Sequence, residues 1–142
     1  MIYTPLTKKA MKICFEAHKE QVDKTEVPYV FHPFHLAEQM DDELSTICAL
    51  LHDVVEDTEM TLEDISSLGF GDDVCQVLSL LTHQEDVPYM DYVKEIAKNP
   101  TAKKVKIADL KHNSDHSRLD IIDEWAVKRN EKYSEALRIL GE

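Results

Sequence analysis

The sequence predicts an all-α fold built as one helical bundle. Apolar residues recur at helical spacing along nearly the whole chain, strand-like alternation is almost absent, and helix start and stop residues separate the periodic stretches. The first stretch, Leu6 to Val22, carries Ala10, Met11, Cys14, Ala17 and His18 on one face. Val27 to Phe31 is the one segment with extended character, and Pro28 bars it from a central strand. Pro33 suits the first turn of a helix running through Leu36, Ala37 and Met40. From Asp42 to Asp57, Leu44, Ile47, Cys48, Leu51, Val54 and Val55 fall at offsets 0, 3, 4, 7, 10 and 11, a single stripe that predicts a continuous helix. Thr61 with Asp64 makes a capping box opening a short helix that Gly69 ends. Asp72 is placed to cap a helix through Val74, Val77, Leu78 and Leu81. Another helix spans about Tyr89 to Ala97 and stops near Asn99-Pro100; Thr101 then caps one carrying Val105 and Ala108. The stretch from Ile121 to Leu140 reads as the last helix, with Trp125, Tyr133 and Leu137 as its anchors.

Size and charge narrow the function. The chain has 142 residues and shows no linker or internal repeat, so one domain over 1–142 is expected. Sixteen Lys and Arg stand against 28 Asp and Glu, a net charge of −12 that repels nucleic acid and anionic membranes. A phosphate substrate then needs something locally positive, such as a metal ion. Only three glycines occur, none in a Gly-rich loop, which excludes a Walker or Rossmann phosphate cradle. No apolar run approaches the ~20 residues that span a bilayer, and MIYTPLTKKA lacks the order of a signal peptide. Cys14, Cys48 and Cys75 are scattered among apolar neighbours without a CxxC pair, so buried, inert thiols and a cytoplasmic setting are expected.

The chemistry concentrates in Leu51-His52-Asp53-Val54-Val55-Glu56-Asp57-Thr58. On a continuous helix His52 and Glu56 share a face, as do Asp53 and Asp57, while the valines turn to the core. That arrangement suits a metal on the first pair and acid/base work by the second. A solvated acidic helix end is the alternative, although carboxylates at a helix C-terminus oppose its dipole. His32, between an extended segment and a helix start, and the face shared by Lys106, Asp109 and Asn113 are candidates to complete a site.

The combination resembles the HD superfamily of metal-dependent phosphohydrolases, and within it the RelA/SpoT-type hydrolase domain acting on the alarmone (p)ppGpp. The matching pieces run in family order: Ala17-His18 with Gln21, Pro28-Tyr29 through His32-Pro33, His52 through Thr58, Phe70-Gly71, and Val105 through Asp109 with Asn113. The resemblance implies that His32, His52, Asp53 and Asp109 hold one divalent ion, with Mn²⁺ expected, and that Glu56 and Asp57 are the catalytic carboxylates. It puts Lys106 near phosphate and Asn113 on the nucleotide. The implied reaction is removal of the 3′-pyrophosphate by metal-activated water, with no synthetase activity. The partner implied is a small nucleotide; oligomeric state is open.

Two departures stand out. Where the family carries a basic pair after Gln21, this chain reads Asp23-Lys24, leaving Lys24 to supply positive charge. Either Asp23 lies outside the pocket or the substrate is another phosphorylated nucleotide such as NADPH, or a smaller phosphoester. The rival of a different class is a metal-stabilised nucleotide sensor without turnover, against which Glu56 and Asp57 favour an enzyme. After Asp109 the family continues Arg-Leu, whereas Leu110-Lys111 stands here. His112, Asp115 and His116 have no implied role and read as residues of an exposed turn.

Overall fold

In a computed structural model describing residues 1–142, nine α-helices follow one another. They are α1 (Pro5–His18), α2 (Phe31–Glu38), α3 (Glu43–Leu51), α4 (Val54–Asp57), α5 (Leu62–Ser67), α6 (Asp72–Leu81), α7 (Tyr89–Ile96), α8 (Pro100–Asn113) and α9 (Glu124–Ile139), with a 3₁₀ turn at His116–Arg118 before the last. There is no strand, only an isolated antiparallel bridge between Val22 and Pro28. None of the helices is long and apolar enough to cross a membrane.

Helix α3 is the axis of the bundle. Every residue from Ser45 to Leu51 is buried, so its apolar surface runs all round and must be enclosed. Helices α1, α2, α6 and α8 enclose it. The two polar members are satisfied locally: Ser45 Oγ donates to Asp42 Oδ1 at 2.6 Å and Thr46 Oγ1 to the Asp42 carbonyl at 2.7 Å. Leu36, Ile47, Leu50, Leu51, Leu78 and Leu110 fill the surrounding core, each contributing about 1.5–3 kcal/mol by leaving water.

Several boundaries differ from the sequence reading. Helix α1 stops at His18 rather than Val22, because the chain folds into a tight loop. There Gln21 N donates to the His18 carbonyl, and Tyr29 N to that of Gln21, both at 2.9 Å. The extended segment expected over Val27 to Phe31 is reduced to the single bridge. Helix α2 begins at Phe31, placing Pro33 on its third residue. Helix α6 has Gly71 as its cap and Asp72 as its first residue. Asn99, not Thr101, caps α8: its Oδ1 accepts from Thr101 N and Ala102 N, both at 3.0 Å, and Pro100 supplies the first turn. The capping box holds, with Thr61 Oγ1 accepting from Asp64 N at 3.1 Å, and Gly69 ends its helix at φ +100°. In α9, Ala126 and Ala136 are buried and Tyr133 and Leu137 pack on the core, but Trp125 is 44% exposed and is no anchor. Cys14 and Cys48 are buried, with burial pushing the Cys14 thiol up to about 12, whereas Cys75 is only half-buried.

The helix predicted over Asp42 to Asp57 is broken at His52-Asp53. His52 Nδ1 donates to the Ala49 carbonyl at 2.7 Å, the acceptor that the Asp53 amide would use in an uninterrupted helix. Asp53 relaxes to φ −103°, ψ −3°, and a single new turn, α4, follows. The four-residue pairings read from sequence therefore do not apply. Two consecutive side chains instead reach the same pocket.

Candidate functional site

Four separate elements converge beside the end of α3. Helix α2 brings His32, the end of α3 brings His52, the turn brings Asp53, and α8 brings Lys106, Asp109 and Asn113 along one face. Ligand atoms of His32, His52 and Asp109, all buried, lie within 4.8 Å of one another. His32 Nε2 is 2.9 Å and His52 Nε2 3.6 Å from Asp109 Oδ1. Asp53 joins through Oδ2, 2.9 Å from His52 Nε2, and also accepts from the Tyr29 hydroxyl. Lys106 Nζ and Asn113 Nδ2 donate to the two oxygens of Asp109 at 3.0 and 2.9 Å.

These residues fit a divalent cation. Because His52 Nδ1 gives its proton to a carbonyl, Nε2 is the nitrogen left to act as base. Although close to two carboxylates, that Nε2 is buried without a properly directed hydrogen bond. Burial alone would favour a neutral ring, yet Asp53 and Asp109 outweigh it and hold the His52 pKa well above its ordinary value. The two carboxylates thus favour a positive charge at this nitrogen. Burial likewise works against ionised Asp109, but Lys106 and the two histidines keep its carboxyl well below the usual range. The mixed nitrogen and oxygen donors suit Mn²⁺, Fe²⁺, Co²⁺ or Zn²⁺.

Glu56 and Asp57 project from α4 at the edge of the cluster, and both are exposed. Their pKa values are raised, first by partial desolvation and then by the negative charge of Asp53. A carboxyl whose pKa is raised holds its proton more readily, a property that suits an acid/base group beside a cation pocket.

From this floor a cleft of about 440 Å³ opens between the α1–α2 loop and the start of α9. Tyr29 and Asn113 border the cluster; Lys24, Arg118 and Arg129 supply the cleft's cations. Lys24 Nζ sits 3.2 Å and Arg129 Cζ 4.4 Å from the centre of the Trp125 ring. Arg129 Nη2 donates to the Asn113 carbonyl at 2.7 Å, and Arg118 Nη1 to that of His112 at 3.0 Å, so the C-terminus of α8 pins both guanidiniums. Asp23 does line the cleft, but its Oδ1 accepts from Thr25 N, Thr25 Oγ1 and Val27 N, bracing the loop. Its Oδ2 lies 3.8 Å from Arg118.

A model of the HD domain family matches residues 10–112. The chain belongs to the HD-domain family. It is 31% identical over 129 residues to the guanosine-3′,5′-bis(diphosphate) 3′-pyrophosphohydrolase MESH1 of Drosophila melanogaster, covering 82% of this chain and 72% of that protein. It is 34% identical over 136 residues to the guanosine-3′,5′-bis(diphosphate) 3′-pyrophosphohydrolase of Aquifex aeolicus, covering 87% of this chain but 18% of that one. A probable GTP pyrophosphokinase of Mycobacterium leprae is 31% identical over 121 residues, covering 76% of this chain and 15% of its own length. Among solved structures, a metazoan SpoT ortholog described as hydrolysing ppGpp, with a role in starvation responses, superposes with a TM-score of 0.75 at 25% identity. That match covers 99% of this chain and 85% of the other.

In this HD domain His32, His52 and Asp109 form one cluster, Asp53 adjoins it through His52, and Glu56 and Asp57 are exposed on the following turn. Lys24 lies apart from the cluster, in the cleft wall. The expectation for His112 is corrected: it is no surface-turn residue but lies against His32, Nδ1 to Nδ1 at 2.7 Å. Burial, then Arg118 and the neighbouring histidines, lower its pKa to about 4. Its spacing from Asp109, three residues along α8, was a usable signal. Tyr29 was named only as part of a matching motif, without a role, and Arg118 and Arg129 were not singled out. For the two arginines no local pattern exists, since only packing of the chain after α8 carries them to the cleft.

Proposed function

We propose that this HD-domain chain is a metal-dependent phosphohydrolase that removes the 3′-pyrophosphate of ppGpp, using Mn²⁺. The observation that carries the reading is His52 Nε2, a buried and undirected base flanked by His32, Asp53 and Asp109, with Glu56 and Asp57 alongside. Relatives and the solved neighbour with this activity in their names support the substrate. A bound divalent ion supplies Lewis acidity toward the phosphate oxygens and lowers the pKa of water.

The chain's own residues do the rest. Lys106, held at Asp109 and charged despite its burial, offsets phosphate charge at the floor of the cleft. Asn113 and Tyr29 orient the sugar side, and Lys24, Arg118 and Arg129 receive the remaining phosphates. Water attacks the phosphorus next to the ribose and the bond to the 3′ oxygen breaks. One of Glu56 and Asp57 accepts the water proton while the other delivers a proton to the leaving oxygen. Residues 1–142 act as a single domain in this reading, and its substrate class fits a cytoplasmic protein.

The test is a Mn²⁺-supplemented activity panel of ppGpp, NADPH, ordinary nucleotides and a generic phosphodiester. Release of GDP and pyrophosphate from ppGpp, at the highest kcat/KM of the set, is expected. Preference for NADPH or another nucleotide would sink the substrate assignment while leaving metal-dependent hydrolysis standing.

A further inference from the structure

His32 has both ring nitrogens committed. While Nε2 faces Asp109 Oδ1, Nδ1 lies 2.7 Å from His112 Nδ1. The two ring planes are parallel within 5° and their centres are 4.9 Å apart. That separation is the nitrogen–nitrogen distance plus a ring radius at each end, so the rings meet edge to edge in a common plane. Two imidazole nitrogens in this geometry share one proton, one donating and the other accepting. A ring that offers its Nε2 lone pair to the cation pocket carries its proton on Nδ1. His112 must then be the acceptor.

His112 is itself held on two sides. The ring of His35 packs against it with centres 4.1 Å apart, and Arg118 Nη1 holds its carbonyl at 3.0 Å. His52 shows the same device in simpler form, its Nδ1 donating to the Ala49 carbonyl.

We propose that His112 is a positioning residue for His32, accepting the Nδ1 proton and so fixing the tautomer and ring plane in which Nε2 binds a divalent cation. The inference rests on the reading that His32, His52, Asp53 and Asp109 form the cation site. Partners of this kind set metal affinity by about 10- to 100-fold.

Mn²⁺ affinity is measured on the full chain, following free Mn²⁺ by electron paramagnetic resonance. His112→Leu removes the acceptor at similar bulk, whereas His112→Gln retains a carbonyl oxygen able to accept. The Leu variant is expected to bind Mn²⁺ about 10- to 100-fold more weakly, and the Gln variant to recover most of that loss. Long-range ¹H–¹⁵N spectra of the Zn²⁺-loaded wild type give a reading that needs no variant: His32 protonated on Nδ1 and His112 bare there. The opposite tautomer, unchanged affinity in the Leu variant, or equal losses in Leu and Gln would each overturn the proposal. His32→Ala and His52→Ala separate the two levels. If they also leave Mn²⁺ affinity intact, the cation site is wrong; if they abolish it while His112→Leu does not, only the positioning role is.

Discussion

Removing Asp109 should expose the charge balance of the ion-free cluster. Its carboxylate accepts from Lys106 Nζ and Asn113 Nδ2 at 3.0 and 2.9 Å and lies 2.9 Å from His32 Nε2, and its side chain is 9% exposed. With His52 protonated, two cations, Lys106 and His52, face two anions, Asp53 and Asp109. Asp109→Ala leaves the Lys106 ammonium, 13% exposed, without its partner. Stranding one member of a buried pair costs about 3–5 kcal/mol. At roughly 4 °C per kcal/mol for a chain of this size, Tm should fall by about 12–20 °C. Adding Lys106→Met restores the balance, leaving only the His52–Asp53 pair, and should recover about 2–3 kcal/mol of the loss. Both are read by scanning calorimetry at pH 7 in a chelator, so that no metal contributes. A single variant that loses less than about 1 kcal/mol, or a double variant no more stable than the single, would refute the reasoning.

Three other predictions concern the acids, the loop and the metal. Glu56→Gln and Asp57→Asn should each lower kcat by about 10² or more with Mn²⁺ retained, measured by steady-state kinetics and metal analysis. Both acids have raised folded-state pKa values, so the stability they provide is present in acid and lost as pH rises through those values. The two variants should therefore melt higher than wild type at neutral pH, and the gain should vanish in acid below the ordinary carboxylate range. Asp23→Arg should not improve ppGpp cleavage: it removes three hydrogen bonds bracing the loop and sets a second guanidinium near Arg118, lowering Tm in a thermal shift assay. Stripping divalent ions should lower Tm, and Mn²⁺ at about 100 times its Kd should restore about 2.7 kcal/mol.

The bundle was legible because helices announce themselves locally. Thr61 with Asp64 marked a cap and Gly69 a stop, and both act as read. The break after Leu51 was not legible, because the apolar stripe from Leu44 to Val55 continues without a flaw. What interrupts it is a ring-to-carbonyl bond, invisible to periodicity. The candidate cation-site and acid residues could still be named, because the short motifs that hold them resemble those of a known family in the same order. Trp125 was misplaced because an aromatic at helical spacing looks like core, whereas here cations from the loop and from its own helix cover it. Asp23 stands where the family carries a basic residue, and sequence could not say whether it lines the pocket; it does, with Oδ1 spent on the amides of its own turn.

Trp125 is the only tryptophan in the chain, and it stands in the cleft wall between Lys24 and Arg129. Indole emission responds to charge beside the ring, so an anion that draws these cations away must change its intensity or colour. The molecule therefore carries its own optical gauge of occupancy, placed in the cleft beyond the cation pocket. Equilibrium binding of nucleotides becomes measurable on unlabelled protein even when turnover has been silenced at Glu56 or Asp57. Trp125→Phe provides the matching dark control, and the difference between the two titrations belongs to the cleft alone.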